Sequence, residues 1–369
     1  MLPIIPATVI GSWSFPGWYA KFCDDVRRHP ELFGHDDREE ALRDAVRLAI
    51  DDQLRAGADI ITDGEMQRVD FNLGFYDYLK GIKALSTNRQ WGAPAHDQRS
   101  RYRCEDAITA PHGLGLVEEY RRLRQWTSAP VKVPVPGPFT LAGCIEPGEI
   151  YQNRDGVAEA LLPIVNTEMK RLVAAGVDFI QLDEPSFACH PPKLPSTSGR
   201  GGGGEGTILP STSGRGVGGE GTEKFLDIIA RTVAGVNAKI SMHMCFGNFR
   251  GRAVGWRSYA PLFPHLAQAK IHQLALEFAS REMAEIALLG QIPAPMEVAV
   301  GLVDVKNTWI EPPELVAQRL RETLKYIEAE RVHVTPDCGF SQTARHVAQR
   351  KLTAMVDGVK IVRRELGKA

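Results

Sequence analysis

Eight short apolar, β-branched segments recur along the chain, and each runs into a turn rich in glycine, proline or acidic residues. They are ATVIGS (7–12), ADIITDGE (58–65), VKVPVPGP (131–138), VDFIQLDEP (177–185), KISMHMCFGN (239–248), IHQLALEFA (271–279), EVAVGLVDVK (297–306) and VHVTPDCGF (332–340). The stretches between them carry the 3.6-residue period of amphipathic helices. Leu42, Val46, Ala49, Ile50 and Leu54 share one face of residues 38–57, and Leu161, Ile164, Val165, Met169, Leu172 and Val173 share one face of residues 155–176. The Ala-Gly pairs in LRAGADI and VAAGVDF are helix stops ahead of a strand. Eight alternations predict an α/β fold of the (β/α)8 TIM-barrel type, because open doubly wound sheets usually have five or six strands. Residues 1–369 are expected to form this barrel as a single domain.

Two excursions break the rhythm. Residues 66–130 are too long for one connection, and their aromatic, polar section predicts an added hairpin or lid after the second strand. Residues 194–222 contain a tandem near-copy, LPSTSGRGGGGEGT followed by LPSTSGRGVGGEGT, made largely of Gly, Ser, Thr and Pro. Such a run buries too little apolar surface to offset its ordering entropy, so a disordered surface insertion is expected after the fourth strand. Neither copy has the GxxxxGK[ST] pattern of a phosphate loop.

With a formal net charge of −1, the chain offers no electrostatic reason for a nucleic acid or membrane-surface partner, so the expected ligand is small. The start MLPIIPATVIGSW lacks a basic n-region and a long apolar run, and no later stretch reaches the roughly 18 apolar residues of a membrane span; a cytoplasmic location is expected. Six scattered cysteines do not make a disulfide framework in a chain this long. In a reducing compartment, a cysteine paired with a histidine points to metal binding or catalysis.

The active site of such a barrel lies at the carboxyl ends of its strands. The polar residues at those ends are Ser12, Glu65, Asp183 with Glu184, His243 with Cys245, Glu277, Asp304 and Cys338. Strand alternation puts His243 and Cys245 on the same side, with Met244 turned away. His243, Cys245, Glu277 and Cys338 form a donor set suited to zinc, and their origin in separate strands suggests a catalytic rather than a structural ion. Cys189 and His190 are adjacent and point to opposite sides, while Cys23, Cys104 and Cys144 sit in helical or loop contexts, so these are expected to be structural.

Taken in order, VIGSWSFP, ITDGEMQRVDF, PVPGPFT, FIQLDEPSF, HMC, the glutamate of LEFA and PDCGF resemble the catalytic barrel of cobalamin-independent methionine synthase, from about residue 5 to residue 350. The resemblance implies a zinc-dependent methyltransferase in which His243, Cys245, Glu277 and Cys338 hold Zn2+ and the metal binds the substrate thiol as thiolate. It also implies that the amino acid end of homocysteine is held by Ile10, Gly11 and Ser12, by Glu65 and by Asp183. Asp304 and Lys306 are further candidates for catalytic roles, Lys306 by orienting the donor or offsetting charge.

The departures from the family pattern lie on the donor side. The chain has one barrel where the long form has two, no tryptophan follows GPFT, and Lys306 stands where the family carries a histidine. Ser341, Gln342, Thr343 and Arg345 replace the usual continuation of the cysteine motif. These departures imply methyl transfer to homocysteine from a methylcorrinoid, as methylcobalamin or on a corrinoid carrier protein, rather than from methyltetrahydrofolate. Two alternatives remain open: alkyl transfer to another thiol such as coenzyme M, for which Arg68 offers a cation, and a non-catalytic barrel that binds zinc or a corrinoid protein.

Overall fold

The computed structural model describes residues 2–68, 73–85, 101–189, 219–248, 253 and 257–368. Its strands are β1 (Lys80–Leu85), β2 (Arg101–Thr109), β3 (Val133–Pro136), β4 (Ile145–Glu146), β5 (Phe179–Asp183), β6 (Lys239–Met244), β7 (Gln273–Glu277), β8 (Glu297–Val303) and β9 (Val332–Pro336). Six of them pair in parallel in the order β3-β5-β6-β7-β8-β9. The first two expected segments join this sheet through single parallel bridges, Ala7 to Val334, Thr8 to Ile60 and Ile61 to Val131. The pairing thus runs round all eight segments, and the expected α/β barrel is found.

Alternation along the strands divides the wall into two faces. Ile180, Leu182, Ile240, Met242, Leu274, Leu276, Val298, Val300, Val332 and Val334 belong to the main apolar core, which packs against the outer helices. The other face carries Gln181, Asp183, Ser241, His243, Gln273, Ala275, Ala299 and Thr335, all buried, and its apolar content is a separate small cluster of Ile10, Ala275 and Ala299. Stability therefore comes mainly from the layer between strands and helices, while the interior of the ring is polar enough to host chemistry.

The helices His35–Ala56 and Arg154–Ala174 match the two periodic stretches. Leu54 is an exception to the expected apolar face, being 41% exposed in the last turn of its helix, where Gln53 and Ala56 take the buried side. Gly57 stops the first of these helices in the left-handed region at φ +86°, and Gly176 follows the second at φ +99°.

The first excursion contributes the expected hairpin-like pair: β1 runs antiparallel to β2, and β4 joins β2 in parallel. Residues 86–100 lie outside the described residues. Most of the second excursion, 194–218, also lies outside them. Its end departs from the expectation of a disordered run to residue 222, since a helix begins at Gly219 and continues to Thr232. The buried side chains of Phe225, Ile228 and Ile229 anchor this helix, and its first turn extends back into the repeat. Among the described residues no helix is long and apolar enough to cross a membrane.

At the opposite end of the ring from the strand carboxyl ends, Glu297 accepts hydrogen bonds from Lys239 Nζ and Gln273 Nε2 and faces His333 Nε2 at 3.0 Å. Burial alone would raise its pKa, but the bonds from His333 and Lys239 outweigh that and hold it at about 2. A carboxyl group depressed in the folded state stabilises the fold above its unfolded pKa, and the contribution is lost as pH falls through the folded value. With allowance for partial exposure, the contribution is on the order of 2 kcal/mol. Urea titrations of Glu297→Gln should therefore show a deficit of that size at pH 7 that closes as pH falls from about 4.5 towards 2. A deficit independent of pH would show that the charge of Glu297 is not what stabilises the base of the barrel.

Candidate metal centre

The parallel register of β5 and β6 sets Asp183 directly beside His243. Cys245 follows the end of β6, two residues on, and Cys338 lies two residues past the end of β9. The ligand atoms of His243, Cys245 and Cys338 all lie within 4.8 Å of one another. His243 Nδ1 donates to Asp183 Oδ1 at 3.0 Å, so the ring in its neutral form has its lone pair on Nε2. Nε2 is buried and has no hydrogen-bond partner. A buried polar atom left in this way is costly unless something else binds it.

The two sulfurs are 3.6 Å apart. Two thiolates on one tetrahedral zinc, with bonds of about 2.3 Å, stand about 3.8 Å apart, so the spacing suits a shared ion. The electrostatics agree. Burial would lower the pKa of His243, but its bond to Asp183 and the negative charges of Asp183 and Cys338 raise it to about 9. Cys338 is shifted well below the usual thiol range, first by its bond to Cys245 and then, against the effect of burial, by His243 and Lys306. Without an ion an imidazolium and a thiolate stabilise each other's charges here, and a cation bound in place of the ring proton on Nε2 preserves that balance. These residues fit the Zn2+ that the sequence implies.

Glu277, the fourth expected ligand, ends β7 near this group but is not brought into it. Its Oε1 accepts from Lys306 Nζ at 2.7 Å and from Ser280 Oγ, and its Oε2 accepts from the amide of Phe246 at 3.1 Å. Lys306 is buried, which alone would lower its pKa, yet Glu277 and Asp337 hold it above the ordinary lysine range. The cation that sequence reading assigned to the donor is thus paired with the glutamate assigned to the metal. Asp304 serves its own turn, accepting from the amide of Lys306 at 2.7 Å and from the Asn307 side chain. Glu184 caps the short helix Pro138–Ala142 by accepting from the amides of Phe139 and Thr140 and from Thr140 Oγ1, and burial nonetheless raises its pKa to about 8.

Glu65 lies in the left-handed region at φ +58°, a strained conformation for a side chain of this length. Its carboxylate is buried, with Oε1 3.3 Å from Arg68 Nη1 and Oε2 without a partner. Burial pushes its pKa well up, opposed by Arg68 and reinforced by Asp183. The backbone of Gly11 presses on this carboxylate so closely that an added Cβ would lie 2.3 Å from Oε1. Ser12 accepts the amide of Phe340 at 2.8 Å, and Ile10 joins the interior apolar cluster. The structure therefore assembles Ile10, Gly11, Ser12 and Glu65 next to the strand end that carries Cys338.

Four residues that sequence reading missed complete the site. Asp337 accepts the amides of Phe278, Ala279 and Ser280, tying the loop after Glu277 to the residue before Cys338. Tyr259 donates to the carbonyl of Met244 at 2.7 Å and accepts the amide of Glu277 at 3.0 Å, clasping the ends of β6 and β7. Lys132 and Gln181 lie inside the ring, joined at 2.6 Å. Gln181 shares the face of Asp183 by the two-residue period, and Lys132 is a charge within an apolar strand segment; both signals are visible in the sequence.

Residues 5–360 match the family model described as the cobalamin-independent synthase catalytic domain. The methionine synthase of Thermococcus kodakarensis is 31% identical over 373 residues, covering 100% of this chain and 96% of that one. The methionine synthase of Pyrococcus furiosus is 31% identical over 369 residues, with 100% and 95% covered. Among solved structures, the B12-independent methionine synthase from Shewanella sp. W3-18-1 in complex with selenomethionine superposes with a TM-score of 0.78 at 27% identity, covering 99% of this chain and 100% of that one. The chain belongs to the cobalamin-independent methionine synthase family and carries its catalytic domain.

Proposed function

We propose that this protein is a methyltransferase that methylates the thiol of homocysteine to form methionine, with Zn2+ held by His243, Cys245 and Cys338. The observation that carries the reading is the convergence of the unsatisfied His243 Nε2 with two sulfurs at the strand ends, in one ring with the unsatisfied Glu65 Oε2. A zinc ion in this site supplies the Lewis acidity that deprotonates a thiol and holds it as a nucleophile near neutral pH. Three protein ligands is the number used by catalytic zinc sites that keep a position for substrate.

The remaining work falls to the protein. Glu65 offers a buried oxygen to the ammonium group of the amino acid, and Asp183 adds negative charge beside it. Asp183 also fixes the ring of His243. By holding the ammonium, these acids set the direction of the sulfur, so that its electron pair forms the new C–S bond as the methyl group leaves its donor, the old bonding pair staying with the donor. Lys306 keeps Glu277 engaged and leaves the three-ligand group undisturbed. The selenomethionine in the Shewanella structure is the selenium counterpart of the proposed product.

Coenzyme M is disfavoured as acceptor. Its sulfonate needs a cation, and Arg68 already makes a bidentate pair with Glu119 and faces Glu65. The methylcorrinoid donor expected from the sequence also gains no support, since the family is described as cobalamin-independent.

The test is mass-spectrometric detection of methylated thiol from zinc-loaded protein offered homocysteine and coenzyme M in competition, with methyltetrahydrofolate or methylcobalamin as donor. Methionine should form with wild type and fall below detection with Cys338→Ser; methylated coenzyme M as the main product, or no methionine from either donor, would overturn the reading. In steady-state kinetics, Glu65→Gln should raise the KM for homocysteine about thirty-fold, the equivalent of about 2 kcal/mol for one charge-assisted bond, with zinc content unchanged. An unaltered KM would remove Glu65 from the substrate site.

A further inference from the structure

Lys132 immediately precedes β3 and lies inside the ring, 1% exposed. Its Nζ donates to Gln181 Oε1 at 2.6 Å, Gln181 Nε2 donates to Asp183 Oδ1 at 2.8 Å, and the same oxygen accepts from His243 Nδ1 at 3.0 Å. The chain of hydrogen bonds ends at the bare His243 Nε2. The direction of each bond follows from the Asp183 carboxylate, which has only acceptors: the carboxamide must turn its NH2 group towards Asp183 and its oxygen towards Lys132, which donates. An aspartate oxygen that accepts on both sides obliges the imidazole to carry its proton on Nδ1.

We propose that Lys132 and Gln181 are positioning residues of the metal centre: together they set the polarity of a hydrogen-bond chain that presents His243 Nε2 as a ready ligand. This inference rests on the zinc reading above. A filling role does not explain the pair. The apolar filling of the interior comes from Ile10, Ala275 and Ala299, and its other buried polar residues, such as Ser241, Gln273 and Thr335, carry no charge; burial of the lysine is costly and lowers its pKa to about 7, with Asp183 and Glu65 opposing the shift. A buried polar pair of this kind is commonly no more stabilising than apolar residues of similar volume, so its presence is better accounted for by orientation.

The test uses the full chain, stripped of metal and titrated with zinc against a chromophoric chelator, with the visible spectrum of the Co2+-substituted protein as a second readout. Gln181→Glu keeps a partner for Lys132 but has no proton for Asp183; the double variant Lys132→Met, Gln181→Met removes the pair without leaving an orphaned charge. Both make the surroundings one charge more negative, which by simple electrostatics tightens binding of a dication. Orientation lost from a residue behind a metal ligand weakens it, and both variants should bind zinc about 10- to 100-fold more weakly, with altered Co2+ bands. If the double variant does not fold, Gln181→Glu decides alone. Zinc affinity in Gln181→Glu equal to or tighter than wild type overturns the inference and leaves the proposed function standing, whereas wild type that binds no zinc overturns both.

Discussion

The hydrogen bond between Asp183 and His243 is the contact on which the site depends. It follows directly from the register of β5 against β6, which sets the two residues side by side on the inner face. A slip of one residue in either strand would turn its inward set outwards, dissolving the metal group and burying charges among the apolar helices. The main core of leucine, isoleucine, valine and methionine packed outside the wall makes that slip costly. The apolar layer therefore does more than stabilise the fold: it holds the register that pairs an acid with a candidate metal ligand.

The same division of labour extends round the ring. Asp337 and Tyr259 hold the carboxyl ends of neighbouring strands to one another, so the loops carrying Glu277, Cys245 and Cys338 are fixed by hydrogen bonds to backbone amides and carbonyls. Lys306 neutralises Glu277 at the edge of the group. At the far end Glu297, Lys239, Gln273 and His333 form a second polar cluster whose role is structural. Candidate catalytic groups at the carboxyl ends of strands and stabilising ones at the amino ends match the usual arrangement of this architecture.

Much of this was legible in the sequence because it rests on period and position. The eight strand segments, the helix stops at Gly57 and Gly176, and the placing of His243, Cys245 and Cys338 at strand ends all follow from local pattern. Glu277 was placed at a strand end from the sequence, but its partner is set by what folds next to it, and Lys306 comes from a different strand end, 29 residues away. Asp304, also placed at a strand end from the sequence, closes its own turn. Tyr259 lies in a connecting segment with no period, so nothing local shows that it bridges two strands. The face of the helix Gly219–Thr232 could be read from its apolar residues, yet its start within a glycine-rich repeat could not.

The most direct test of the central claim is X-ray absorption at the zinc edge on the purified protein, with and without homocysteine. The account predicts zinc held by two sulfurs at about 2.3 Å with nitrogen or oxygen completing the shell, and a third sulfur when homocysteine is added. Protein that holds no zinc, or a sulfur count that does not change with homocysteine, would contradict it.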